Sequence, residues 1–168
     1  MFELKRLSTE AVPGALQKAE RYRLLNQPWE AECIYRDIVE IDPNNQEALV
    51  GLILAITDQF GESLPGSVAA AQAVLPRLQD DYERAYYAGI ICERRAKVVL
   101  DSTRPGSDGM AYQLLREAKD WYERAETLRP AGNDDVLLRW NSCARLVLRY
   151  PSVMSAAVGG EGYQPYVD

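Results

Sequence analysis

The residues that could do chemistry are few, and their types exclude most catalytic devices. Acidic side chains occur in adjacent pairs at Asp80-Asp81 and Asp134-Asp135. Paired carboxylates can act as general acids and bases, but each pair lies where a helix is predicted to begin, and carboxylates stabilise a helix N-terminus. The chain has no histidine, which removes the commonest general base and the usual activator of serine and cysteine nucleophiles. We therefore predict that the protein has no catalytic residues and is not an enzyme.

The cysteines suggest neither a metal site nor a disulfide framework. Cys33, Cys92 and Cys143 are odd in number and far apart in the sequence. They form no CxxC pair, the spacing that is typical of zinc ligands, so we expect all three to be small buried apolar residues. The sequence also lacks a phosphate-binding glycine loop and a nucleophile elbow. We expect no metal and no cofactor.

The charge and hydropathy of the chain narrow the class of partner. The formal net charge is −6, and it is concentrated in residues 1–84, which carry 14 acidic and 8 basic side chains. An acidic chain lacks the basic surface of nucleic-acid-binding proteins and is repelled by anionic membranes. The first residues, MFELKRLSTE, lack the apolar core of a secretory signal, and no apolar run is long enough to span a bilayer. We expect a cytoplasmic protein that binds neither nucleic acid nor membrane.

Helical periodicity predominates along the chain, and the strand alternation of apolar and polar residues is almost absent. Proline, glycine and asparagine turns separate the helical segments. These signals predict an all-α protein whose residues 1–150 form one domain, followed by an irregular tail at 151–168. The seven predicted helices cover about 10–25, 29–41, 46–59, 67–78, 81–100, 110–128 and 133–149, with caps at Asn44 or Asn45, at Ser67 and at Asn133.

Two segments of the chain repeat the same spacing of residues. A small residue is followed after four residues by tyrosine, and a proline stands eight residues beyond the tyrosine. The first steps place the side chains on one helical face, where the alanine admits a neighbouring helix and the aromatic ring fills the gap. The proline lies just beyond the helix end, where the chain turns. The matching positions are Ala31, Tyr35, Ile38 and Pro43 in one segment and Ala118, Tyr122, Ala125 and Pro130 in the other.

This spacing resembles the second helix of a tetratricopeptide repeat (TPR). Ala19 and Tyr22 match the first helix, so that residues 12–45 resemble a whole unit of about 34 residues. The resemblance implies a solenoid of antiparallel helix pairs with an irregular repeat at 46–80, a third at 82–132 with an inserted loop at 101–109, and a capping helix at 133–149. Ala88 and Gly89 would be close-contact positions of the fifth helix. The chain departs from a regular array because Pro43 and Pro130 lie 87 residues apart.

In TPR proteins the first helices of successive repeats line a concave groove that binds a peptide. Carried over to this chain, the resemblance implies a partner-binding surface that mixes aliphatic, aromatic and charged side chains. The alternative is that its apolar members fill the interior against the tail or a neighbouring molecule. The implied residues are Leu16, Glu20, Arg23, Leu24, Val50, Leu54, Thr57, Asp58, Tyr86, Ile90, Glu93 and Arg94.

The resemblance implies a non-catalytic adaptor, scaffold or assembly factor that binds a peptide or helix of another protein. A small chaperone for secreted or assembling proteins, or a non-catalytic subunit of an enzyme complex, remains the alternative. The carboxylate clamp of chaperone-binding TPR domains is not expected, because its positions carry Glu20, Leu24, Leu54 and Asp58. The tail, through Tyr163, Pro165, Tyr166 and Val167, is expected to pack on the helices of its own chain or of a second copy, which would give a homo-oligomer through the tail or the terminal helix.

Overall fold

Every regular element in the described part of the chain is helical, which confirms the all-α prediction. The structure, a computed structural model, describes residues 3–62, 66–102 and 104–160. None of the described helices is long and apolar enough to cross a bilayer. The α-helices are α1 (Val12–Leu24), α2 (Pro28–Ile41), α3 (Gln46–Asp58), α4 (Ser67–Val74), α5 (Asp81–Leu100), α6 (Ser107–Glu126), α7 (Asp135–Arg149) and α8 (Pro151–Gly160), with single 3-10 turns at Thr9–Ala11, Phe60–Glu62 and Leu75–Arg77.

Backbone contacts divide the chain into two compact units. The N-terminal unit comprises residues 1–87, and the C-terminal unit comprises residues 88–168. The boundary falls inside α5, so the first turns of this helix belong to one unit and its remainder to the other. The prediction of one domain over residues 1–150, with repeats at 12–45, 46–80 and 82–132, stays a prediction.

The N-terminal unit is built around α2, which packs against both α1 and α3, while α3 also packs against α4. Ala31 is fully buried and Tyr35 almost so, which confirms their predicted core positions. The Tyr35 ring lies directly against Gly51 of α3, where an added Cβ would stand 2.3 Å from the Cζ atom of the ring. A side chain larger than hydrogen at residue 51 would therefore displace the ring, and glycine is what lets α2 and α3 approach.

The start of α3 and the side of α2 show how this unit satisfies its polar groups. The Asn45 side chain accepts a hydrogen bond from the Ala48 backbone N–H at 2.9 Å, which confirms an asparagine cap and selects Asn45 over Asn44. Glu32 is buried, and its carboxylate accepts hydrogen bonds from Arg36 Nε at 2.8 Å and from Gln59 Nε2 at 2.7 Å. A buried carboxylate is tolerated when it is paired in this way.

The C-terminal unit is built around α6, which packs against α7 and α8. Ala118, Tyr122 and Ala125 are fully buried, as their spacing predicted. The Tyr122 ring lies against Gly89 of α5, where an added Cβ would stand 2.4 Å from Cε1, so the predicted close contact at Gly89 is confirmed. Val136 and Cys143 of α7 complete the buried face.

The two carboxylate pairs at predicted helix starts behave differently. Asp80 caps α5, because its Oδ1 accepts a hydrogen bond from the Tyr82 backbone N–H at 2.7 Å. Asp134 makes no side-chain capping bond at α7 and instead pairs with Arg129. The predicted cap at Asn133 lies one residue before the N-cap position, yet its Oδ1 accepts a hydrogen bond from the Asp135 N–H at 3.0 Å.

Four local predictions are corrected by the structure. Ser67 is the first residue of α4 and not its cap, since Gly66 occupies that position with a φ of 85° that favours glycine. The loop predicted at 101–109 is shorter, because α6 begins at Ser107 after Gly106, whose φ is 82°. Residues 151–160 of the tail form α8, which begins with a proline suited to a first helical turn. Cys33 is half-buried, whereas Cys92 and Cys143 are buried as predicted.

The α8 helix holds this part of the tail against the rest of the C-terminal unit. It contacts both α6 and α7, and its Val153 side chain is fully buried. Residues 151–155 therefore pack on helices through an aliphatic contact that the small residues of this stretch concealed, and the packing expected through the end of the tail stays a prediction. The tail residues singled out in the sequence, Tyr163, Pro165, Tyr166 and Val167, lie outside the described residues.

Candidate functional site

An ion pair between α1 and α3 brings together two of the residues implied by the TPR resemblance. Arg23 Nε donates to Asp58 Oδ2 at 2.9 Å, although the two residues lie 35 positions apart in the sequence. Both side chains keep about a quarter or less of their surface exposed, at 21% and 25%. The pair is therefore shielded from solvent on one side, where it is screened less than a fully exposed pair.

Several charged side chains lie within electrostatic range of the hydroxyl of the buried Tyr35. Burial is the main cause that raises the pKa of the Tyr35 phenol. The Arg23 guanidinium lowers it, and the carboxylates of Glu20, Glu47 and Asp58 raise it. Three predicted site residues, Glu20, Arg23 and Asp58, thus lie within electrostatic range of one hydroxyl, and we call the surface that they share with the exposed edge of α3 the α1–α3 face.

The aliphatic part of the α1–α3 face comes from α3. Val50 and Leu54 are half-buried and precede Asp58 at intervals of four residues, which places the three on one stripe of the helix. Thr57 is buried, and its hydroxyl donates to the Leu54 carbonyl at 3.0 Å, so it adds no accessible surface. Leu16 is also buried and belongs to the core between helices, which corrects its predicted place on the surface.

Two predicted positions stand apart from this stripe. Leu24 is the last residue of α1 and is 81% exposed, so its side chain is accessible to a partner but is barely packed against the rest of the protein. Tyr86 of α5 belongs to an aromatic cluster of the N-terminal unit, in which its ring stacks on Tyr82 at 5.7 Å and meets Tyr87 edge-on at 5.2 Å. Such clusters provide large contact areas at low cost in side-chain entropy.

The sequence reasoning missed Tyr87, whose hydroxyl, like that of Tyr35, lies within electrostatic range of Arg23. Burial raises the pKa of Tyr87 to about 12, and Arg23 opposes that rise. Glu47, at the start of α3, was also missed, although it acts on Tyr35 beside the predicted acids. The sequence signal for Tyr87 was the consecutive pair Tyr86-Tyr87. Neighbouring residues of a helix point in different directions, so Tyr87 faces a different surface when Tyr86 lies on the predicted stripe.

The remaining predicted residues lie in the C-terminal part of α5, and two of them are core residues. Ile90 and Glu93 are buried and expose no more than 1% of their surface, so their predicted place on an accessible groove is corrected. Arg94, next in sequence, is half-buried. Ile90 and Glu93 turn inward because Gly89 brings α6 close, and the α6 side of α5 is then covered.

Glu93 is held by three partners within the C-terminal unit. Its Oε2 accepts a hydrogen bond from the Tyr122 hydroxyl at 2.7 Å. Its Oε1 accepts one from Lys97 Nζ at 2.5 Å and lies 3.5 Å from Arg139 Nη1. Burial raises the pKa of Tyr122 above its ordinary value, and the Glu93 carboxylate raises it further. The arrangement keeps the phenol protonated as a donor and compensates the buried charge, as structural networks do.

The described residues contain no group of three or more histidine, cysteine, aspartate or glutamate side chains that could hold a metal ion. Burial is the main cause that raises the pKa of the Cys92 and Cys143 thiols, each to about 12, and a thiol of high pKa is a poor nucleophile. The α1–α3 face presents aliphatic, acidic and basic groups side by side.

Comparison of the chain with protein-family models, with curated proteins and with solved structures finds no match.

Proposed function

We propose that the protein is a non-catalytic interaction module that binds a peptide or helix of a partner protein on the α1–α3 face. The observation that carries the proposal is the Arg23–Asp58 ion pair, which joins α1 to α3 beside the aliphatic stripe of Val50 and Leu54. A face of this kind offers apolar anchors and charges of both signs, which suits a segment that carries apolar side chains between polar ones.

A TPR-like arrangement of the helices is part of the proposal. It is supported in the N-terminal unit by the order of packing, since α2 contacts α1 and α3, and α1 also contacts α3. In a stack of helix pairs, alternate helices lie side by side and form one continuous face. The contact between α1 and α3 is the one that such a stack requires, and it leaves α2 on the opposite side.

The ion pair also suggests how the bound segment would be oriented. Arg23 and Asp58 neutralise each other, whereas Glu20 and Glu47 add negative charge near the same face. A partner segment with lysine or arginine beside its apolar residues would therefore be attracted. Charges at the rim of an interface mainly accelerate association and select the partner, while the aliphatic anchors supply most of the binding free energy.

Site-specific photocrosslinking tests the proposal in cells of the source organism. A photoreactive amino acid would replace Val50 on the α1–α3 face and, as the matched control, Val39 of α2, which is also half-buried. We expect a specific protein to be crosslinked from residue 50 and to be absent or much weaker from residue 39. Crosslinking of the same protein from both positions, or from residue 39 alone, would contradict the assignment of the face.

A further inference from the structure

A second surface of the chain, in the C-terminal unit, has the form of an open groove between α6, α7 and α8. Its volume is about 340 Å³. The groove shares no lining residue with the α1–α3 face, and its role is independent of the function proposed for that face. The residues that line it are Tyr112, Arg116, Lys119, Ala144, Val147, Leu148 and Met154.

The floor of the groove is apolar and only partly covered. On α7, the side chains of Ala144, Val147 and Leu148 line it, and Met154 of α8 closes one end. Leu148 is 65% exposed and Met154 is 44% exposed, although both are large apolar side chains. Large apolar side chains that stay this exposed beside a concave surface are typical of interaction sites.

The α6 wall of the groove is cationic and partly fixed in position. Tyr112, Arg116 and Lys119 follow one face of α6 at intervals of four and three residues. The Lys119 ammonium lies 4.4 Å from the centroid of the Trp140 ring, and the Trp140 indole N–H donates to Glu123 at 3.0 Å. From Tyr112 to Lys119 this wall is about 10 Å long, at the helical rise of 1.5 Å per residue, which equals about two turns of a bound helix.

The charges around the groove are unbalanced. Arg116 forms no ion pair with the described residues. Helices α7 and α8 supply the other two walls and contain Arg139, Arg145 and Arg149 and one acidic residue, Asp135. The α6 carboxylates of Glu117, Asp120 and Glu123 do not line the groove, and that of Glu123 accepts the hydrogen bond from Trp140. Two lining cations therefore face the groove with no lining carboxylate to neutralise them.

We propose that this groove is a docking site for an acidic amphipathic helix of a partner protein. The apolar floor fits leucine-like side chains at intervals of three and four residues, and Arg116 and Lys119 fit glutamate or aspartate on the flank of the same helix. The sign of the charge is what selects this occupant, because the two lining cations, Arg116 and Lys119, attract carboxylates.

Two designed helical peptides of about three to four turns test this proposal on the full chain. Both carry leucine on one face, and they differ only in having glutamate or lysine on the flanks. Binding is followed by fluorescence anisotropy and by NMR of ¹³C-labelled methionine methyl groups, with Met110 of α6, which does not line the groove, as the internal reference. We expect the glutamate peptide to bind at least about tenfold more tightly than the lysine peptide and to shift the Met154 signal.

Matched substitutions locate the binding. Leu148→Ala should weaken the glutamate peptide about tenfold, while Leu138→Ala, on the same helix and equally exposed at 65% but outside the groove, should change its affinity less than about twofold. Arg116→Glu should likewise weaken it about tenfold, and Arg124→Glu, an exposed charge reversal on the same helix outside the groove lining, should not.

Three results would overturn the proposal. Equal affinity of the two peptides would show that charge does not select the occupant. A Met154 signal that moves with protein concentration, without peptide, would assign the groove to a second copy of the chain. A Met154 signal that moves in the full-length Tyr163→Ala, Tyr166→Ala variant, again without peptide, would assign it to the end of this chain. Unchanged far-UV circular dichroism of each variant would show that the helices are intact.

Discussion

Each of the two units contains the same kind of contact, a tyrosine ring packed on a helix glycine. The order of the two residues along the chain is opposite in the two units. In the N-terminal unit Tyr35 of α2 lies on Gly51 of the helix that follows. In the C-terminal unit Tyr122 of α6 lies on Gly89 of the helix that precedes. The spacing of alanine and tyrosine thus predicts ring burial, but it does not determine which neighbouring helix supplies the glycine.

The hydroxyl groups of the two tyrosines meet different surroundings. Four residues beyond the contacted glycine stands Ala55 in one unit and Glu93 in the other. The Tyr122 hydroxyl therefore donates to a buried carboxylate at 2.7 Å. The Tyr35 hydroxyl has no hydrogen-bond partner among the described residues, and charged groups of the α1–α3 face lie within electrostatic range of it. Both rings are core elements, but only the Tyr122 hydroxyl is anchored by a hydrogen bond within the described part of the chain.

Removal of either ring should have the largest effect on stability. Tyr122→Ala and Tyr35→Ala should each lower the free energy of unfolding by about 3–5 kcal/mol, because a large buried aromatic leaves a cavity. Tyr122→Ala should lie at the upper end, since it also removes a partner of buried Glu93. Urea denaturation followed by circular dichroism measures both. A loss below about 1 kcal/mol for either variant would show that its ring is not a core element.

Removal of the tyrosine hydroxyl alone should lower stability in the C-terminal unit more than in the N-terminal unit. Tyr122→Phe should cost about 1.5–3 kcal/mol, the range for a hydrogen bond to a charged group. Tyr35→Phe, the matched substitution, should cost less than about 0.5 kcal/mol, as is usual where no such bond is lost. Both variants keep the ring, so the same denaturation experiment isolates the hydroxyl. Equal losses of unfolding free energy would refute the distinction between a hydrogen-bonded tyrosine hydroxyl and one without such a bond.

Substitution of the contacted glycines should give the smallest difference in stability between the two units. A Cβ at either position would stand within 2.4 Å of the tyrosine ring. Gly89→Ala should cost about 1–3 kcal/mol by overpacking, since Tyr122 is fully buried and held by Glu93. Gly51→Ala should also cost about 1–3 kcal/mol but lie nearer the lower end, because no hydrogen bond from the described residues holds the Tyr35 ring in place. Thermal unfolding of the two variants measures the difference, and a larger loss at residue 51 would reverse the comparison.

Local patterns predicted most of the fold, because helix boundaries depend on nearby residues. The bounds of α5 follow from Asp80 and the apolar period, and Asn45 caps α3 as expected. The start of α6 was placed three residues late, since the left-handed Gly106 that precedes it leaves no distinct capping side chain. The helical residues 151–160 were missed because their small side chains and glycines show little amphipathic period, and only the burial of Val153 against α6 and α7 reveals their role.

The candidate site was harder to predict, because surface exposure depends on contacts that are distant in sequence. The α1–α3 face includes Glu20, Arg23, Val50, Leu54 and Asp58. The sequence around Arg23 gives no indication that Asp58, 35 residues away, is its partner. Glu93 was expected on a surface, yet Tyr122, 29 residues away, buries it. A charged residue on an apolar helix face is ambiguous in a sequence until its partner is known.

The most direct test of the proposed function is a calorimetric titration of the protein with the segment crosslinked from residue 50. Leu54→Ala should weaken this binding at least about tenfold, because a half-buried leucine on the α1–α3 face supplies an aliphatic anchor. Val39→Ala, on α2, should change the affinity less than about twofold while both variants remain folded. Equal affinities of the parent and the Leu54→Ala variant would contradict the assignment of partner binding to this face.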